Sequence, residues 1–382
     1  MIYLDYASTT PVDKRVFEVM KPYFIKLFAN PSSIHRFGQL ALKAVDQSRN
    51  LIRNLLEADY LNEIIFTSSA TESNNLAIKG LVYCLFYRLK IKPHIISTEI
   101  EHPSVSEVLL DLKKNNLIEI DFLPLDNNGL VKYSSIVQLI KENTCLISVH
   151  YVNSEIGIIQ PIQKISEILT GINQKREIKI YFHTDASQAP LTEEISVKKL
   201  GVDLMTLSGH KIYGPKGIAC LYKKSNIILE KLISGSEQEF NLRPGTENVP
   251  LIVGFAQALK FAVEEREKLK KHLTEIRDYF LNQLKKNGID FKINGNLEIT
   301  TPKIINIYFP NKTSMEILLY LDQNDIYVSA GTACQSRAII PSQVVAKIYP
   351  ERANCSLRFS FGRETNKTDI DFLIQKLKLF LG

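Results

Sequence analysis

The amino-acid sequence predicts an α/β protein: a large domain on a mainly parallel, seven-stranded sheet, and a small α+β domain at the C-terminal end. The chain has 382 residues, 45% of them hydrophobic, which is enough for one large core and a smaller one. Between about residues 60 and 225, short β-rich runs alternate with segments of helical period, which is typical of βαβ units. After about residue 260 this alternation ends, which indicates a second unit.

Seven runs supply the predicted strands of the large domain. They are apolar on both faces, as expected for a sheet that lies between two layers of helices. The runs are 63–68, 94–98, 118–124, 144–152, 178–185, 202–208 and 217–223. The helical segments between them predict crossovers that keep most of the strands parallel.

The C-terminal part begins with a predicted long helix. From Leu259 to Leu284, apolar residues recur mostly three or four positions apart, and the pattern ends near Gly288. Four strand-like runs follow, separated by helical stretches, at 289–295, 302–310, 325–331 and 355–362. We therefore predict a large domain at 13–258 and a small domain formed by 1–12 together with 259–382.

Composition and charge exclude several classes of protein. The net charge of +6 is spread along the chain, so we expect neither direct nucleic-acid binding nor membrane binding. No apolar run reaches the roughly 18 residues of a membrane span, and the N-terminus does not resemble a signal peptide. The five cysteines lack paired spacing, which argues against disulfides and a zinc site. We expect reduced thiols, no metal site and a cytoplasmic protein.

Two charged residues at the ends of predicted strands suggest cofactor chemistry. Lys211 lies among turn-forming residues in 208–217, directly after a strand. Desolvation lowers the pKa of a lysine and so favours Schiff-base formation, whereas the alternative is a solvated loop lysine. Asp185 ends another strand, where it could pair with a protonated pyridine nitrogen or simply cap a helix.

Three further polar segments follow strands. Residues 67–75 open a helix after a strand, which suits a phosphate group, although the same pattern also fits an ordinary capping box. His102 could stack on an aromatic ring or carry a proton, or be a structural histidine. Asn153 could donate to a ligand or stabilise a turn.

Two residues of the C-terminal part are candidates for contact with substrate. Cys334 lies among small and polar residues in 329–341, which indicates an exposed loop and a thiol that is free to react. Arg358 alternates with apolar neighbours in a predicted strand. It could bind a substrate carboxylate through two hydrogen bonds, or form a surface salt bridge.

Taken together, these segments resemble the cysteine desulfurases. These are pyridoxal phosphate (PLP) enzymes of the class V aminotransferase group, with the aspartate aminotransferase-like fold known as fold type I. The resemblance covers essentially the whole chain, and the motifs occur in the family's order. The matching segments are 4–11, 30–38, 70–80, 101–102, 153–157, 183–188, 208–217, 243–250, the loop around Cys334, and 357–363.

The resemblance implies a role for each candidate residue. Lys211 matches the lysine that forms the Schiff base with PLP, and Asp185 the partner of the pyridine nitrogen. Gln188 matches the residue that contacts the ring oxygen, and His102 the stacking histidine, which also moves protons. The phosphate positions are matched by Ala70, Thr71, Ser208 and His210, and by Thr246, which in the family comes from the partner subunit. Asn153 and Arg358 match the substrate-binding groups, and Cys334 the nucleophile.

The implied reaction removes sulfur from L-cysteine, gives L-alanine and leaves a persulfide on Cys334. A homodimer is implied, as is a sulfur-acceptor protein that serves iron–sulfur scaffold assembly, tRNA thiolation or DNA phosphorothioation. Cys334 is also a candidate transient iron–sulfur ligand. Ser236 and Glu237 stand where the family has glycines, so a positive φ is restricted there. The alternatives are a related PLP lyase or aminotransferase that does not use Cys334, and a non-catalytic docking subunit.

Overall fold

The computed structural model describes residues 1–331 and 342–381. The strands are β1 (Ile2–Tyr3), β2 (Ile64–Thr67), β3 (His94–Ser97), β4 (Glu119–Phe122), β5 (Thr144–Ser148), β6 (Tyr181–Asp185), β7 (Leu204–Ser208), β8 (Ala219–Lys223), β9 (Lys292–Ile293), β10 (Ile304–Tyr308), β11 (Ile326–Tyr327) and β12 (Ser356–Ser360). The helices are α1 (Lys14–Ile25), α2 (Arg36–Leu56), α3 (Ala70–Tyr83), α4 (Pro103–Lys114), α5 (Ile136–Leu139), α6 (Ile162–Asn173), α7 (Val197–Leu200), α8 (Gln238–Asn241), α9 (Val249–Glu264), α10 (Arg266–Lys286), α11 (Ser314–Asp322), α12 (Gln343–Ile348) and α13 (Lys367–Leu381).

The central sheet contains the seven strands predicted for the large domain. Its order is β2-β8-β7-β6-β5-β3-β4. Only β8 runs antiparallel to its neighbours, and the other pairings are parallel. The predicted α/β class with a mainly parallel sheet of seven strands is therefore confirmed. The carboxyl ends of β3, β5, β6 and β7 meet at one edge of this sheet, the usual place for a ligand in such folds.

Both faces of the sheet are buried, and neighbouring residues of one strand serve different cores. In β2, Ile64 and Phe66 belong to the main core, whereas Ile65 packs into a second core with residues of α3 and α4. In β8, Leu221 likewise faces the second core. Because side chains alternate along a strand, helices on both sides are needed to cover such apolar runs.

The C-terminal part forms a separate antiparallel sheet in the order β12-β10-β9. The N-terminal strand β1 pairs with β11, so the start of the chain lies against this region. Phe280 of α10 packs against Phe359 and Phe361, with ring centroids 5.0 and 5.9 Å away. The division into 13–258 and 1–12 plus 259–382 remains a proposal, and its boundary falls inside α9.

The single long helix predicted from Leu259 to Leu284 is wrong in one respect, because the structure has two helices there. They are separated at Glu265, whose φ of −99° and ψ of 1° interrupt the helical backbone. The Glu265 side chain is held by Arg15 at 2.6 Å and by Arg363 at 3.1 Å. These ion pairs join Glu265 to distant parts of the chain, so the local spacing of apolar residues could not predict them.

Within residues 1–331 and 342–381, no helix is both long enough and apolar enough to cross a bilayer.

Candidate active site

One cavity at the carboxyl edge of the central sheet collects most of the predicted site residues. It lies where β2, β3, β5, β6 and β7 end, and the first residues of the chain close one side through Ala7 and Ser8. The predicted residues that line it are Ala70, Thr71, His102, Asn153, Asp185, Gln188, Ser208, His210, Lys211 and Arg358. Predicted residues up to 288 positions apart in sequence, from Ala70 to Arg358, are thus brought together by the fold.

Lys211 ends the short turn Gly209–Lys211 that follows β7. Its Nζ donates hydrogen bonds to the main-chain oxygen of Ala7 at 2.6 Å and of Ser8 at 2.7 Å. These oxygens orient the amine, and both belong to the N-terminal segment. Lys211 is therefore held at the cavity by residues more than 200 positions away, and is not a solvated loop lysine.

Asp185, at the end of β6, is buried and accepts several hydrogen bonds. Its Oδ2 accepts from Asn74 Nδ2 at 2.8 Å, and its Oδ1 accepts from the main-chain N–H of Ser187 at 2.9 Å and the hydroxyl at 2.6 Å. Burial by itself raises the pKa of Asp185, but the opposing effects of His102 and these hydrogen bonds leave that pKa below its usual range. The carboxyl group is therefore ionised at neutral pH.

His102 caps the N-terminus of α4. Its Nδ1 accepts from the main-chain N–H of Ser104 at 3.1 Å and lies 2.8 Å from the Ser104 hydroxyl. Burial lowers the pKa of His102, against an opposing effect from Asp185. Because Nδ1 is an acceptor, the neutral ring carries its proton on Nε2. Asn74 Nδ2 also donates to Ser104 Oγ at 2.8 Å, which connects this histidine to Asp185.

The start of α3 lines the same cavity. Ser69 caps this helix by accepting from the N–H of Glu72, and Ala70 and Thr71 form its first turn. The first N–H groups of a helix have no carbonyl partner within the helix, so they can bind an anion. His210 lines the same cavity, and burial with the nearby Lys211 lowers its pKa to about 4.

Gln188 has two polar partners behind the cavity. Its Nε2 donates to the main-chain oxygen of Ala7 at 2.8 Å, and its Oε1 accepts from Lys303 Nζ at 3.0 Å. Sequence reasoning missed Lys303, which directly precedes β10. The sequence feature that could have identified it is a lysine inside an otherwise apolar strand-like run.

Arg358 projects from β12 into the cavity and is buried. It donates to Asp5 and to the Ser8 hydroxyl, both at 2.7 Å, and to the main-chain oxygen of Ser154 at 2.8 Å. A guanidinium has five N–H donors. The three bonds use both N–H groups of Nη2 and one of Nη1, which leaves the second N–H of Nη1 and the buried N–H of Nε. Arg358 thus forms a salt bridge with Asp5, but the guanidinium is buried and does not lie at the surface.

Asn153 both lines the cavity and stabilises a turn. Its Oδ1 accepts from the N–H groups of Glu155 and Ile156, and its Nδ2 donates to the oxygen of Ile100. The two functions considered for this residue are therefore compatible.

A histidine–carboxylate pair at the cavity also escaped sequence reasoning. His150 Nδ1 lies 2.9 Å from Glu101 Oε1, and the Thr98 hydroxyl donates a hydrogen bond to the same carboxylate at 2.7 Å. The signal was the position of each residue at a strand end. Among the described residues, no group of three or more histidine, cysteine, aspartate or glutamate side chains could hold a metal ion.

Two predicted residues are not part of this cavity as described. Thr246 is exposed and lines other cavities, together with Glu247 and Asn248. Its predicted contribution from a partner subunit remains a prediction. Cys334 lies outside the described residues, so its role as the nucleophile or as a transient iron–sulfur ligand also remains a prediction.

The predicted restriction at Ser236 and Glu237 does not arise, because neither has a positive φ. The left-handed conformation falls instead on residues 239–241, with φ of 50°, 57° and 62°. Glu239 is buried there, and both of its oxygens accept from the guanidinium of Arg49 at 2.7 and 2.8 Å. This ion pair, with a further bond from the main chain of β2, holds the loop in a conformation that glycine would otherwise favour.

The residues of the cavity fit PLP. The set combines an amine that can form a Schiff base, an ionised carboxylate for a pyridinium nitrogen and a helix N-terminus for a phosphate. The fold and this site together define a PLP-dependent enzyme of fold type I.

The comparisons with known proteins narrow this class. The model of the aminotransferase class-V family matches residues 2–373, so the chain belongs to that family. It is 41% identical to the cysteine desulfurase IscS of Dictyoglomus turgidum, with 99% of this chain and 93% of that protein covered. A NifS-like protein of known structure superimposes with a TM-score of 0.90 at 32% identity, covering 100% of this chain and 99% of that one.

The structure of SspA in complex with cysteine has a TM-score of 0.81 at 34% identity, with 94% of this chain and 99% of that chain covered. The predicted resemblance to the cysteine desulfurases is thereby confirmed.

Proposed function

We propose that this protein is a PLP-dependent cysteine desulfurase that converts L-cysteine to L-alanine and transfers the sulfur to Cys334 as a persulfide. The observation that carries the proposal is the meeting of Lys211, Asp185 and Arg358 in one cavity. They supply a Schiff-base amine, a carboxylate for a pyridinium nitrogen and a guanidinium for a substrate carboxylate. The relationship to cysteine desulfurases indicates the substrate.

The cavity residues have separate tasks in this reaction. When bound, PLP condenses with amines through its aldehyde and withdraws electrons from the attached carbon. Asp185, ionised and fixed by Asn74 and Ser187, keeps a proton on the ring nitrogen. Lys211 Nζ, once released to its neutral form, accepts and returns a proton at the substrate. Neutral His102 donates a hydrogen bond into the cavity from Nε2, the nitrogen that carries its proton.

We assign substrate binding to Arg358, whose remaining Nη1 N–H donates a hydrogen bond to the carboxylate of L-cysteine. Asp5 and Ser8 fix the guanidinium plane. The Cys334 thiolate then attacks the substrate sulfur. A sulfur–sulfur bond forms, the bond between Cβ and sulfur breaks, and its electron pair stays on Cβ, which takes up one proton to become the methyl group of L-alanine. No external oxidant or reductant is needed for this step.

The proposal includes a homodimer that completes the site. Large apolar side chains are exposed on and after α1 at Phe24, Ile25, Phe28 and Ile34, the last of them 96% exposed. Phe28 lines a cavity together with Thr246. A second copy covering this surface would bury these side chains and would carry Thr246 toward the partner's phosphate site. Light scattering should give a dimer for the wild type and a monomer for Phe28→Glu.

The sulfur acceptor is a protein of iron–sulfur scaffold assembly, tRNA thiolation or DNA phosphorothioation. We place the reaction in the cytoplasm, since four cysteines of the described chain are free thiols.

The test is the release of alanine and sulfide from L-cysteine in the presence of a reductant, at full PLP load. Wild type should yield both products, and Lys211→Ala and Cys334→Ser neither. Cys355→Ser is the matched control, because Cys355 is the partly exposed thiol among the described cysteines. It should keep full turnover, since Cys355 does not line the cavity. Turnover that survives Cys334→Ser would favour a PLP lyase or aminotransferase instead. A wild type without bound PLP or turnover would favour the docking subunit.

A further inference from the structure

A second lysine lies beneath the cofactor cavity. Lys303 directly precedes β10 and is 1% exposed. Its Nζ lies 3.0 Å from Gln188 Oε1 and 3.4 Å from the main-chain oxygen of Lys211. Within residues 1–331 and 342–381, no ion pair joins Lys303 to a carboxylate. A buried amine that faces only neutral oxygens is costly, so its placement calls for a function.

Lys303 fixes the orientation of the Gln188 amide. An amine of lysine donates hydrogen bonds toward its partner, so the amide oxygen of Gln188 must face it. On the other side, the main-chain oxygen of Ala7 can only accept, so the amide nitrogen must face Ala7. The two contacts therefore select the same one of the two amide orientations. One N–H of Gln188 Nε2 is used by Ala7, and the other is left for the cavity that Gln188 lines.

We propose that Lys303 is a positioning residue for the cofactor, which holds the Gln188 amide so that its second N–H is offered to the ring oxygen of PLP. This inference rests on the proposed function, since it assigns the Gln188 N–H to that cofactor. A donor at this place stabilises the ionised ring oxygen, because a hydrogen bond to the charged form favours that form. An amide in the opposite orientation would present its oxygen and would repel the same charge.

The protonation state of Lys303 does not alter this assignment. Burial, with contributions from the cations Lys211 and Arg358, lowers the pKa of Lys303 to about 7. The charged amine can only donate, whereas the neutral amine keeps two N–H donors and gains a lone pair that can accept. In the neutral form the main-chain oxygen of Ala7, which can only accept, still keeps the amide nitrogen on its own side and the amide oxygen toward Lys303. The contact thus persists across the pH range of a titration.

The experiment compares the holoenzyme with Lys303→Met, Gln188→Ala and the double variant. The first readout is the pH midpoint of the visible absorbance of bound PLP, and the second is the PLP dissociation constant on reconstitution. Lys303→Met should raise the midpoint by about one pH unit and weaken PLP binding about tenfold, as expected for a lost hydrogen bond to a charged group. In the Gln188→Ala background, Lys303→Met should change the dissociation constant less than about twofold.

Lys223→Met is the matched control. Lys223 is also buried, its pKa is also lowered by burial, and it donates to the main-chain oxygen of Ile227 outside the cavity. Its replacement should leave the midpoint unchanged.

Equal effects of Lys303→Met in both backgrounds would overturn the positioning role, as would an unchanged midpoint in Lys303→Met. A wild type that develops no PLP absorbance would instead overturn the proposed function, and this inference with it.

Discussion

Replacing Lys303 by methionine should stabilise the cofactor-free protein at low pH more than at high pH. The pKa of this amine is about 7 in the folded protein against 10.5 for an ordinary lysine, chiefly because burial disfavours the charge, with Lys211 and Arg358 adding to the effect. Below about pH 7 the amine is charged in both folded and unfolded states, so the cost of burying it is fully present. Between about pH 7 and 10.5 only the unfolded state keeps the proton, so the wild type gains stability as pH rises.

The size of the effect follows from the same shift in pKa. Each pH unit in that window is worth about 1.4 kcal/mol, so between pH 6 and pH 9 the Lys303 contribution changes by about 3 kcal/mol. The free energy of unfolding of Lys303→Met minus that of the wild type should therefore fall by about 3 kcal/mol over this interval. Urea unfolding followed by far-ultraviolet circular dichroism is the assay, since the chain has no tryptophan. Lys303→Gln, which also lacks a titrating amine, should behave alike.

A difference in unfolding free energy that stays constant from pH 6 to pH 9 would refute the reasoning. It would mean that the Lys303 amine keeps its proton in the folded protein over that range. The prediction is independent of cofactor binding. Lys303→Met should thus be more stable at pH 6 while binding PLP less tightly, a combination that purely structural damage would not produce.

Three other changes test different parts of the molecule. Glu239→Ala leaves a buried arginine unpaired and should lower the unfolding free energy in urea by about 3–5 kcal/mol, whereas the exposed control Glu237→Ala should stay within about 0.5 kcal/mol. Ser104→Ala removes a hydroxyl that contacts His102 Nδ1 and favours the neutral ring. The acid limb of the pH profile of kcat/KM should therefore move up by as much as about one pH unit, and an unmoved limb would contradict this assignment. Arg358→Lys should raise KM for L-cysteine about tenfold without changing the PLP absorbance, and an unaltered KM would exclude the residue from substrate binding.

Much of the fold could be predicted because it depends on local patterns. Each strand of the central sheet falls within a predicted run, since apolar residues with β propensity recur there between helical segments. Several residues of the cavity could also be predicted from the sequence. Asp185 ends a strand, and Lys211 and His102 follow strands, of the one central sheet. The carboxyl ends of its parallel strands meet at a single edge.

The features that sequence did not predict depend on pairs of residues far apart in the chain. Lys303 contacts a residue 115 positions away, and the Arg49–Glu239 pair spans 190 positions. A lysine in an apolar strand run has the same local pattern whether its amine reaches solvent or a buried amide, because the long side chain permits both. The two cases differ in the oxygen that the lysine amine contacts. The tertiary fold determines whether that oxygen belongs to solvent or to a buried amide.

This difference explains why the positive φ values were predicted at the wrong residues. A sequence that replaces glycine predicts strain at the position of the replacement, as at Ser236 and Glu237. The backbone can instead move the left-handed residues along the loop when an interaction elsewhere offsets their cost, and here the buried Arg49–Glu239 pair holds residues 239–241. The position of strain in a loop is therefore set by where its side chains find partners. The Glu239→Ala variant tests this relation directly. It removes the ion pair with Arg49, while Phe240 and Asn241, the other two loop residues with a positive φ, are unchanged.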